Sequence, residues 1–569
     1  MTQVPALPPT PHDALDAKVQ RVKAKADEWA RLPVADKAKL LVGMVPAMHA
    51  ISHEWVDTAC AAKSIDPRSN TAAEEWLAGP IITLRNMRLL HRTLAAIADG
   101  GGAPIGKMAT RPDGRVEVEV FPTDGMDKAL FTGFSAKCLM EAGVDEKATR
   151  ARQASFYKQK DPKGSVAVIL GAGNVASIPP TDTLHKLFVE GRVCVLKMNP
   201  VNEYVGPLLE RAFAPLIERG YLEIAYGGGD VGKYLVEHAL VDDIHITGSD
   251  KTHDLIVWGP PGAERDRRKR EHDPLLKKSI TSELGNVSPV AIVPGEYRDD
   301  ELWFVARNVA SMVQNNASFN CNAAKILITS AAWPQLAQFR DLVRRAMKTA
   351  PVRSAYYPGA ADRYAQLTAG HHVEKFGEER PGALQWAYIT GLDPKATDER
   401  IFDTEPFCGI LSDVSLEAGE PAAFLDAATT FMNERLWGTL NAMIVIHPKT
   451  EAQPAVAAAL DRAIVALQYG TVSINHWPAV GYGLVSPPWG GHPSATLEDI
   501  QSGVGWVHNT YLLEGIEKSV VRGPLVVKPT PAWFFDHKSA RELGEKLTDF
   551  YLAPSWFKVP GLALTALRG

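Results

Sequence analysis

Short apolar runs at a regular interval constrain the fold of this chain more than any other feature. They recur roughly every 20 to 30 residues through the middle of the sequence, with helical stretches between them. The runs are Val166 to Leu170, Val193 to Leu196, Leu222 to Tyr226 and Ile244 to Thr247. This alternation is typical of βα units, in which a crossover helix connects neighbouring strands of a parallel sheet. The sequence therefore predicts an α/β fold that contains a parallel sheet.

Elements on either side of this region indicate more than one domain. Helical spacing occurs between residues 14 and 60 and again from about Ala72 to Ile97. A strand-like alternation of valine and glutamate runs from Val116 to Val120, and a second α/β series begins near Val287. A chain of 569 residues is too long for one ordinary core, so we predict two or three domains.

Two segments differ in composition from the rest. The stretch from Glu264 to Asp273 is dense in charged residues, and we interpret it as a solvated surface loop. The segment after Val520 is rich in aromatic residues, which predicts packing into a core or against another subunit.

Composition and charge argue against several classes of protein. The net charge of -5 gives no reason to expect nucleic-acid binding. No apolar stretch approaches the roughly 20 residues that span a bilayer, and residues 1–12 lack an apolar signal core. Five cysteines without close pairs argue against a disulfide framework and against a zinc site. We therefore expect a cytoplasmic protein without a resident metal.

Three strand ends are followed by turns that are suited to binding an anion. The candidate residues in these turns are Gly171, Gly173, Gly227, Gly229, Thr247, Gly248 and Ser249. Glycine lets the backbone approach a ligand, and the N-terminus of a following helix favours phosphate. Neither glycine-rich turn has the GxGxxG spacing of an ordinary dinucleotide fingerprint. Lys197, at a strand end, is a candidate to meet a hydroxyl or phosphate, although an isolated lysine is more often a surface residue.

Six features occur in the order found in one enzyme superfamily. They are the Asn174 and Lys197 pair, SELGNVSP from Ser282 to Pro289, NCNAAK from Asn320 to Lys325, EPF from Glu405 to Phe407, Gln468 to Asn475, and PWGG from Pro488 to Gly491. Together they resemble the signatures of the aldehyde dehydrogenases over roughly residues 15 to 510. A combination in this order is far more specific than any one motif.

The resemblance implies that Cys321 is the catalytic nucleophile. Addition of a thiolate to an aldehyde creates an alkoxide that can lose hydride, and cysteine supplies a thiolate near neutral pH. The Asn174 amide and the backbone N–H of Cys321 would stabilise this alkoxide. Glu283 would then activate water to hydrolyse the remaining thioester, a role that requires a pKa raised by partial desolvation.

The same resemblance implies NAD or NADP as the cofactor. Lys197 would bind a ribose, and Ser249 would meet the pyrophosphate at a helix N-terminus. Glu405 would hold the nicotinamide ribose, and Phe407 would pack beside the nicotinamide. Pro200 stands where NAD-preferring members often carry Glu, so the choice between the two dinucleotides stays open.

The domain organisation also follows from the resemblance. The expected parts are a Rossmann-type dinucleotide-binding domain (residues 1–105 and 161–282), an α/β catalytic domain with Cys321 (283–480), a small β oligomerisation lobe (106–160 and 481–519) and a C-terminal extension (520–569). A homodimer or homotetramer is the expected assembly, with a small-molecule aldehyde as substrate.

Several positions depart from the superfamily pattern. Asn286 stands where Gly is usual, Ser318 and Phe319 replace a Gly-Gln pair, and His253 stands where the phosphate-binding helix usually has Gly. A bulky His253 near a phosphate would weaken or reshape the cofactor site, or donate a hydrogen bond to it. The segment of residues 122–160 and the tail beyond about residue 520 are additions to the pattern.

Two other functions are also compatible with the sequence. The same scaffold can transfer the acyl group to coenzyme A or reduce an activated acyl group, and either reaction would make the water-activating Glu283 unnecessary. Alternatively, the chain is a catalytically silent relative that acts as a binding partner, and the departures at Phe319 and His253 favour that interpretation. The identity of the aldehyde does not follow from the sequence.

Overall fold

A computed structural model describes residues 6–569. The prediction that residues 1–12 lack a signal core falls partly on residues 1–5, which lie outside the described residues. Within residues 6–569, no helix is both long enough and apolar enough to cross a membrane.

The strands form two large sheets and two small strand pairs. In chain order they are β1 (Met108–Thr110), β2 (Val116–Phe121), β3 (Ser135–Met140), β4 (Val166–Leu170), β5 (Val193–Lys197), β6 (Leu222–Ala225), β7 (Asp243–Gly248), β8 (Ser279–Leu284), β9 (Pro289–Ile292), β10 (Ile326–Ser330), β11 (Arg353–Ser354), β12 (Glu374–Phe376), β13 (Ala383–Leu384), β14 (Trp386–Leu392), β15 (Ile410–Leu416), β16 (Asn441–Val445), β17 (Thr471–Ile474), β18 (Pro488–Trp489), β19 (Val507–His508) and β20 (Ile516–Arg522).

Helices flank both large sheets. In chain order they are α1 (His12–Arg31), α2 (Val34–Gly43), α3 (Val45–Ala50), α4 (Ser52–Ala62), α5 (Ala73–Trp76), α6 (Ile82–Ala98), α7 (Gly125–Leu130), α8 (Glu146–Arg152), α9 (Ile178–Leu184), α10 (Gly206–Ala212), α11 (Ala214–Glu218), α12 (Gly229–Glu237), α13 (Asp250–Trp258), α14 (Ala263–Arg270), α15 (Asp299–Gln314), α16 (Leu336–Thr349), α17 (Ala360–Thr368), α18 (Arg400–Asp403), α19 (Pro421–Arg435), α20 (Pro448–Glu451), α21 (Pro454–Ala466), α22 (Ala479–Leu484), α23 (Ala540–Leu552) and α24 (Val559–Ala566). Short 3-10 helices cover Asn70–Ala72, Ser155–Lys158, Glu203–Val205, Asn315–Ser318 and Trp556–Lys558, and π-helical turns cover Leu77–Ile81 and His185–Val189.

The five-stranded sheet confirms the predicted βα rhythm. Its order is β6-β5-β4-β7-β8, and every neighbouring pair is parallel. The four apolar runs of the sequence are β4 to β7. Their valines and isoleucines are buried because helices cover both faces of the sheet, as is usual for parallel strands. The parallel order places the carboxyl ends of these strands along one edge of the sheet.

An eleven-stranded sheet contains the second α/β series. Its order is β1-β2-β3-β20-β17-β16-β9-β10-β15-β14-β12, with a parallel centre from β20 to β14. The predicted alternation from Val116 to Val120 is β2, and its three valines are fully buried in an apolar cluster. β3 pairs in antiparallel fashion with both β2 and β20, so β1 to β3 extend the eleven-stranded sheet. β20 spans both sides of the expected boundary at residue 519.

The charged stretch from Glu264 to Asp273 corrects one prediction, because most of it is helical. It lies in and just beyond α14, where Arg267 and Arg268 pair with Glu264 at 2.8 and 2.9 Å. Such pairs, three and four residues apart, stabilise a helix that buries no side chain. The prediction of a surface position is correct, and the prediction of a loop is wrong.

The aromatic tail is packed for most of its length, as predicted. Phe534, Phe550 and Tyr551 are buried, and α23 packs against α5 in the N-terminal half of the chain. The last aromatic residues differ, since Trp556 is half exposed and Phe557 is 96% exposed.

Candidate active site

A cavity of about 1280 Å³ lies where the strand ends of the two large sheets meet. From the five-stranded sheet, the ends of β4, β5, β7 and β8 and the first turns of α12 and α13 face it. From the other side, loops that precede strands of the eleven-stranded sheet contribute Cys321, Glu405, Phe407 and Trp437. A crevice at the carboxyl ends of parallel strands is the usual position of a ligand site in α/β folds.

Cys321 lies between a left-handed turn and β10. Asn316, Ala317 and Ser318 have φ angles of 54°, 54° and 69°, a conformation that residues with a side chain rarely adopt. The carbonyl oxygen of Cys321 accepts hydrogen bonds from Ser288 Oγ at 2.7 Å and from Lys325 Nζ at 3.2 Å. These contacts fix the backbone of Cys321 while its side chain faces the cavity.

The thiol of Cys321 is less acidic than the sequence suggests. Burial raises its pKa well above the usual value, the negative charges of Glu283 and Glu405 raise it further, and Lys325 opposes them. Formation of the thiolate is therefore less favourable here than at an exposed cysteine. Cysteine motifs carry no information about the carboxylates that the fold brings beside them.

Glu283 lies at the end of β8 and is 5% exposed. Trp489 Nε1 donates a hydrogen bond to Glu283 Oε1 at 3.3 Å. Burial raises the pKa of Glu283 to about 8, and the charge of Asp182 contributes. This is the direction that a general base for neutral to alkaline pH requires.

Asn174 lies in the turn after β4 and is 7% exposed. Its side-chain Nδ2 donates to the carbonyl oxygen of Phe319 at 2.9 Å, which ties this turn to the loop before Cys321. An amide nitrogen carries two hydrogens, so one remains for a ligand. Asn174, Glu283 and Cys321 all line the cavity. They lie at one end of it, since Asn174 bonds to Phe319, two residues before Cys321, and the side chains of Glu283 and Cys321 are in contact.

The other end of the cavity has the character of an anion site. The sequence candidates that line it are Lys197, Gly171, Gly229, Thr247, Gly248 and Ser249. Helices α12 and α13 both begin there, and Ser249 Oγ caps α13 by accepting from the backbone N–H of Thr252 at 3.2 Å. A Cβ added at Gly229 would meet nothing within 4 Å, which shows open space at the start of α12.

Two of the predicted glycines do not line the cavity. Gly173 and Gly227 instead allow the turns themselves to form. A Cβ at Gly173 would lie 2.6 Å from the side chain of Asn199, and Gly227 has a φ of 130°. Gly173 is therefore needed for space, and Gly227 for its backbone conformation.

Glu405 is held close to Cys321. Lys325 Nζ donates to Glu405 Oε1 at 2.5 Å and also to the backbone oxygen of Asn286 at 2.7 Å. A Cβ at Gly285 would lie 2.0 Å from Glu405 Oε2, so glycine is required for this approach. Phe407, two residues later, faces the cavity with a left-handed φ of 43°.

The departures from the superfamily pattern have local explanations. Phe319 is buried in an aromatic cluster with Tyr356, Tyr357 and Phe407, at ring-centroid distances of 4.9, 5.6 and 5.8 Å. These rings accommodate the side chain of Phe319, which does not line the cavity.

Asn286 and His253 are likewise accommodated. Asn286 Nδ2 donates to the backbone oxygen of Asn441 at 2.7 Å, and Gly438 provides space because a Cβ there would lie 2.6 Å from Asn286 Oδ1. His253 is fully buried and does not line the cavity. The expectation that it would crowd a phosphate is therefore wrong, because it lies on the inner face of α13.

Sequence reasoning missed a polar group behind Glu283. Thr247 Oγ1 donates to Asp182 Oδ2 at 2.8 Å, and His245 Nε2 lies 3.3 Å from the same oxygen. In the parallel register, Thr247 is the direct neighbour of Glu283. Asp182 lies in α9, 101 residues before Glu283 in the chain, so no local pattern connects the two.

Comparison with known proteins identifies the architecture. No protein-family model and no curated protein sequence matches the chain. Among solved structures, it is similar to the NADP-dependent glyceraldehyde-3-phosphate dehydrogenase of Bacillus halodurans in complex with NADP (16% identity, 91% of this chain and 92% of that chain, TM-score 0.59). It is also similar to an aldehyde dehydrogenase of Mycobacterium tuberculosis in complex with NAD+ (16%, 92% and 92%, 0.57) and to a substrate-bound aldehyde dehydrogenase of Staphylococcus aureus (14%, 89% and 93%, 0.59).

The chain has the aldehyde dehydrogenase fold. The coverage of about nine tenths on both sides means that this likeness includes both large sheets, and not one shared Rossmann-type unit. The motifs in the sequence and the similarity to solved structures both indicate this fold. The predicted fold class is therefore confirmed.

Proposed function

We propose that this protein oxidises an aldehyde to a carboxylic acid, with NAD or NADP as hydride acceptor. One observation carries the proposal. Asn174, Glu283 and Cys321 meet at one end of a cavity whose other end offers two helix N-termini and Lys197. Relatives of the same fold are known in complexes with NADP and with NAD+, which supports the choice of cofactor class.

Catalysis would begin with Cys321. The thiol loses its proton to water, and the sulfur adds to the aldehyde carbonyl to form a thiohemiacetal alkoxide. The free hydrogen of the Asn174 amide and the backbone N–H of Cys321 would donate to the alkoxide oxygen. Because burial and the charges of Glu283 and Glu405 raise the pKa of the thiol, the reactive thiolate would form at a higher pH than for an exposed cysteine.

The residues around the cavity fit a dinucleotide. When bound, a nicotinamide dinucleotide supplies the acceptor for the hydride of the aldehyde carbon. The open start of α12 at Gly229 and the capped start of α13 at Ser249 would hold its pyrophosphate. Lys197 and Glu405 would hold its ribose hydroxyls, since both line the cavity.

Hydrolysis would be the task of Glu283. Loss of hydride leaves a thioester on Cys321, and the Glu283 carboxylate would take a proton from water that attacks its carbonyl carbon. The carbon–sulfur bond then breaks, which releases the carboxylic acid and the thiol. A buried carboxylate with a pKa of about 8 supports hydrolysis rather than acyl transfer to coenzyme A, which needs no such base.

The local accommodation of Phe319 and His253 weakens the case for a silent relative. Neither side chain enters the dinucleotide end of the cavity, so neither would block catalysis. A cytoplasmic location and a homodimer or homotetramer stay predictions.

A panel of aldehydes with NAD and with NADP tests the proposal. We expect reduced dinucleotide to form with the wild-type protein and not with Cys321→Ala. Reduction that requires coenzyme A would favour the acyl-transfer reaction instead. A folded protein that neither turns over any aldehyde nor binds either dinucleotide would contradict the proposal.

A further inference from the structure

A buried ion pair lies directly behind the proposed oxyanion site. Lys63 follows the end of α4 and Glu75 lies in α5, and their side chains are only 4% and 3% exposed. Lys63 Nζ donates to both oxygens of Glu75, at 2.9 and 3.1 Å. Because two charges so far from water are costly to bury, such a pair adds little net stability to a fold. Its position therefore calls for another explanation.

The same ammonium group reaches two residues of the candidate active site. Lys63 Nζ donates to the backbone oxygen of Asn174 at 3.3 Å and to Asn316 Oδ1 at 3.0 Å. The two acceptors are joined to each other, because Asn316 Nδ2 donates to the Asn174 oxygen at 2.8 Å. Lys63 thus connects the turn after β4 with the loop before Cys321.

That loop needs support from outside itself. Three successive residues from Asn316 to Ser318 are left-handed, a conformation that a chain of non-glycine residues does not hold by local preference. Asn316 is held at three more points, since Tyr356 OH donates to its Oδ1 at 2.8 Å, its own Nδ2 donates to the oxygen of Phe319 at 3.1 Å, and its backbone N–H donates to Glu74 Oε2 at 2.9 Å. Lys63 lies at the centre of this network.

We propose that Lys63 and Glu75 are positioning residues for the oxyanion donors. They lie behind the site and act through Asn174 and Asn316. The ion pair fixes the backbone of Asn174 and thereby the direction of its free amide hydrogen. Through Asn316, it fixes the loop that presents the backbone N–H of Cys321. The inference rests on the proposed function for the role of these two donors.

The test compares two reactions of Cys321 that differ in their need for an oxyanion site. Acylation by 4-nitrophenyl acetate passes through a tetrahedral oxyanion, releases 4-nitrophenolate and leaves a thioester. Alkylation by iodoacetamide displaces iodide at a saturated carbon and forms no oxyanion. Neither reaction requires an aldehyde or a dinucleotide. Mass spectrometry of the labelled peptide separates Cys321 from the four other cysteines, which are all buried.

The variant Lys63→Met with Glu75→Leu removes both charges and leaves no unpaired ion in the interior. We expect acylation of Cys321 to slow by about 10- to 100-fold, because removal of one oxyanion donor outright costs on the order of 100- to 1,000-fold. Alkylation at the same pH should change by less than about threefold, since the thiol itself is not displaced.

A second buried ion pair provides the matched control. Arg85 and Asp127 have side chains only 5% and 6% exposed and form two hydrogen bonds, at 2.7 and 2.9 Å. Arg85→Met with Asp127→Leu should leave both labelling rates within about threefold of wild type. Equal slowing of acylation in the two double variants would overturn the proposal, and so would a parallel fall of acylation and alkylation at the Lys63 pair.

Glu75→Gln keeps the test decisive if the double variant does not fold. The amide retains an oxygen for Lys63 but removes the charge, so acylation should slow by several fold while alkylation is retained. Acylation at the wild-type rate in this variant would overturn the proposal. Because both labelling reactions proceed without aldehyde, failure to find an oxidisable substrate would contradict the proposed function and leave this inference intact.

Discussion

The two ends of the cavity are formed by different kinds of chemical group. The end at which we propose dinucleotide binding, the dinucleotide end, consists of strand ends and helix starts that follow one another closely in the chain, such as Gly228 before α12 and Ser249 before α13. The end at which we propose catalysis, the catalytic end, consists of Asn174, Glu283 and Cys321, which come from distant parts of the sequence. At the dinucleotide end, several main-chain donors would each contribute part of the binding energy. At the catalytic end, each side chain would have a role of its own. Single substitutions should therefore abolish chemistry at one end and only weaken binding at the other.

Loss of the nucleophile should have the largest effect. Cys321→Ala removes the only group that can form the thioester, so turnover should fall by about 10,000-fold or more. The measurement is steady-state reduction of dinucleotide, with binding of NADH or NADPH followed separately by fluorescence. Cys408→Ala, at a buried cysteine outside the cavity, is the control and should remain active. Substantial turnover by Cys321→Ala would mean that the chemistry does not depend on this single side chain.

Glu283→Gln should separate the two halves of the reaction. Deacylation loses its base, so steady turnover should fall by about 100- to 10,000-fold. The first turnover should be retained near neutral pH and accelerated above about pH 8, where the wild-type Glu283 is charged and raises the pKa of Cys321. Rapid mixing of enzyme, aldehyde and dinucleotide measures the burst. A burst that disappears together with steady turnover would assign Glu283 to the attack step.

Lys197→Met should show the more modest response of the dinucleotide end. A hydrogen bond to a charged donor is worth about 1.5 to 3 kcal/mol, which corresponds to roughly 10- to 100-fold in the Kd of the dinucleotide. Alkylation of Cys321 should be unchanged. The control is Lys163→Met, at a lysine that is exposed and distant from the cavity. If Lys197→Met abolishes binding completely, this end also depends on a single side chain.

The success of the sequence predictions also differs between the two ends of the cavity. The strands β4 to β7 were predictable because runs of valine, isoleucine and leucine are a local signal. The charged stretch before Asp273 was misassigned because pairs three and four residues apart act only once a helix forms. His253 was misplaced because a motif position does not reveal which face of α13 points inward.

The catalytic end was predictable only as far as its motifs extend. Cys321 and Glu283 belong to recognisable segments, and the fold brings both to the cavity. Lys63 and Asp182 have no such signal, because their partners lie far away in the sequence. For the same reason, the high pKa of the Cys321 thiol did not follow from the sequence.

The smallest effect is expected at Asp182, which does not line the cavity and lies behind Thr247 and Glu283. Its carboxylate accepts a hydrogen bond from Thr247 and lies near His245, and its charge adds to burial in raising the pKa of Glu283 to about 8. Asp182→Asn should lower the pKa of Glu283, because one negative neighbour is lost while an oxygen remains for Thr247. The basic form of Glu283 would then persist to lower pH.

The measurement is the pH profile of steady turnover, compared with the pH profile of the burst. Steady turnover should rise with pH as Glu283 loses its proton, and Asp182→Asn should move this rise to lower pH. Asp182→Glu keeps the charge and should leave the midpoint near that of wild type. An unchanged midpoint in Asp182→Asn would mean that another group limits steady turnover. A move to higher pH would mean that Asp182 lowers the pKa of Glu283, against the charge that surrounds it in the structure.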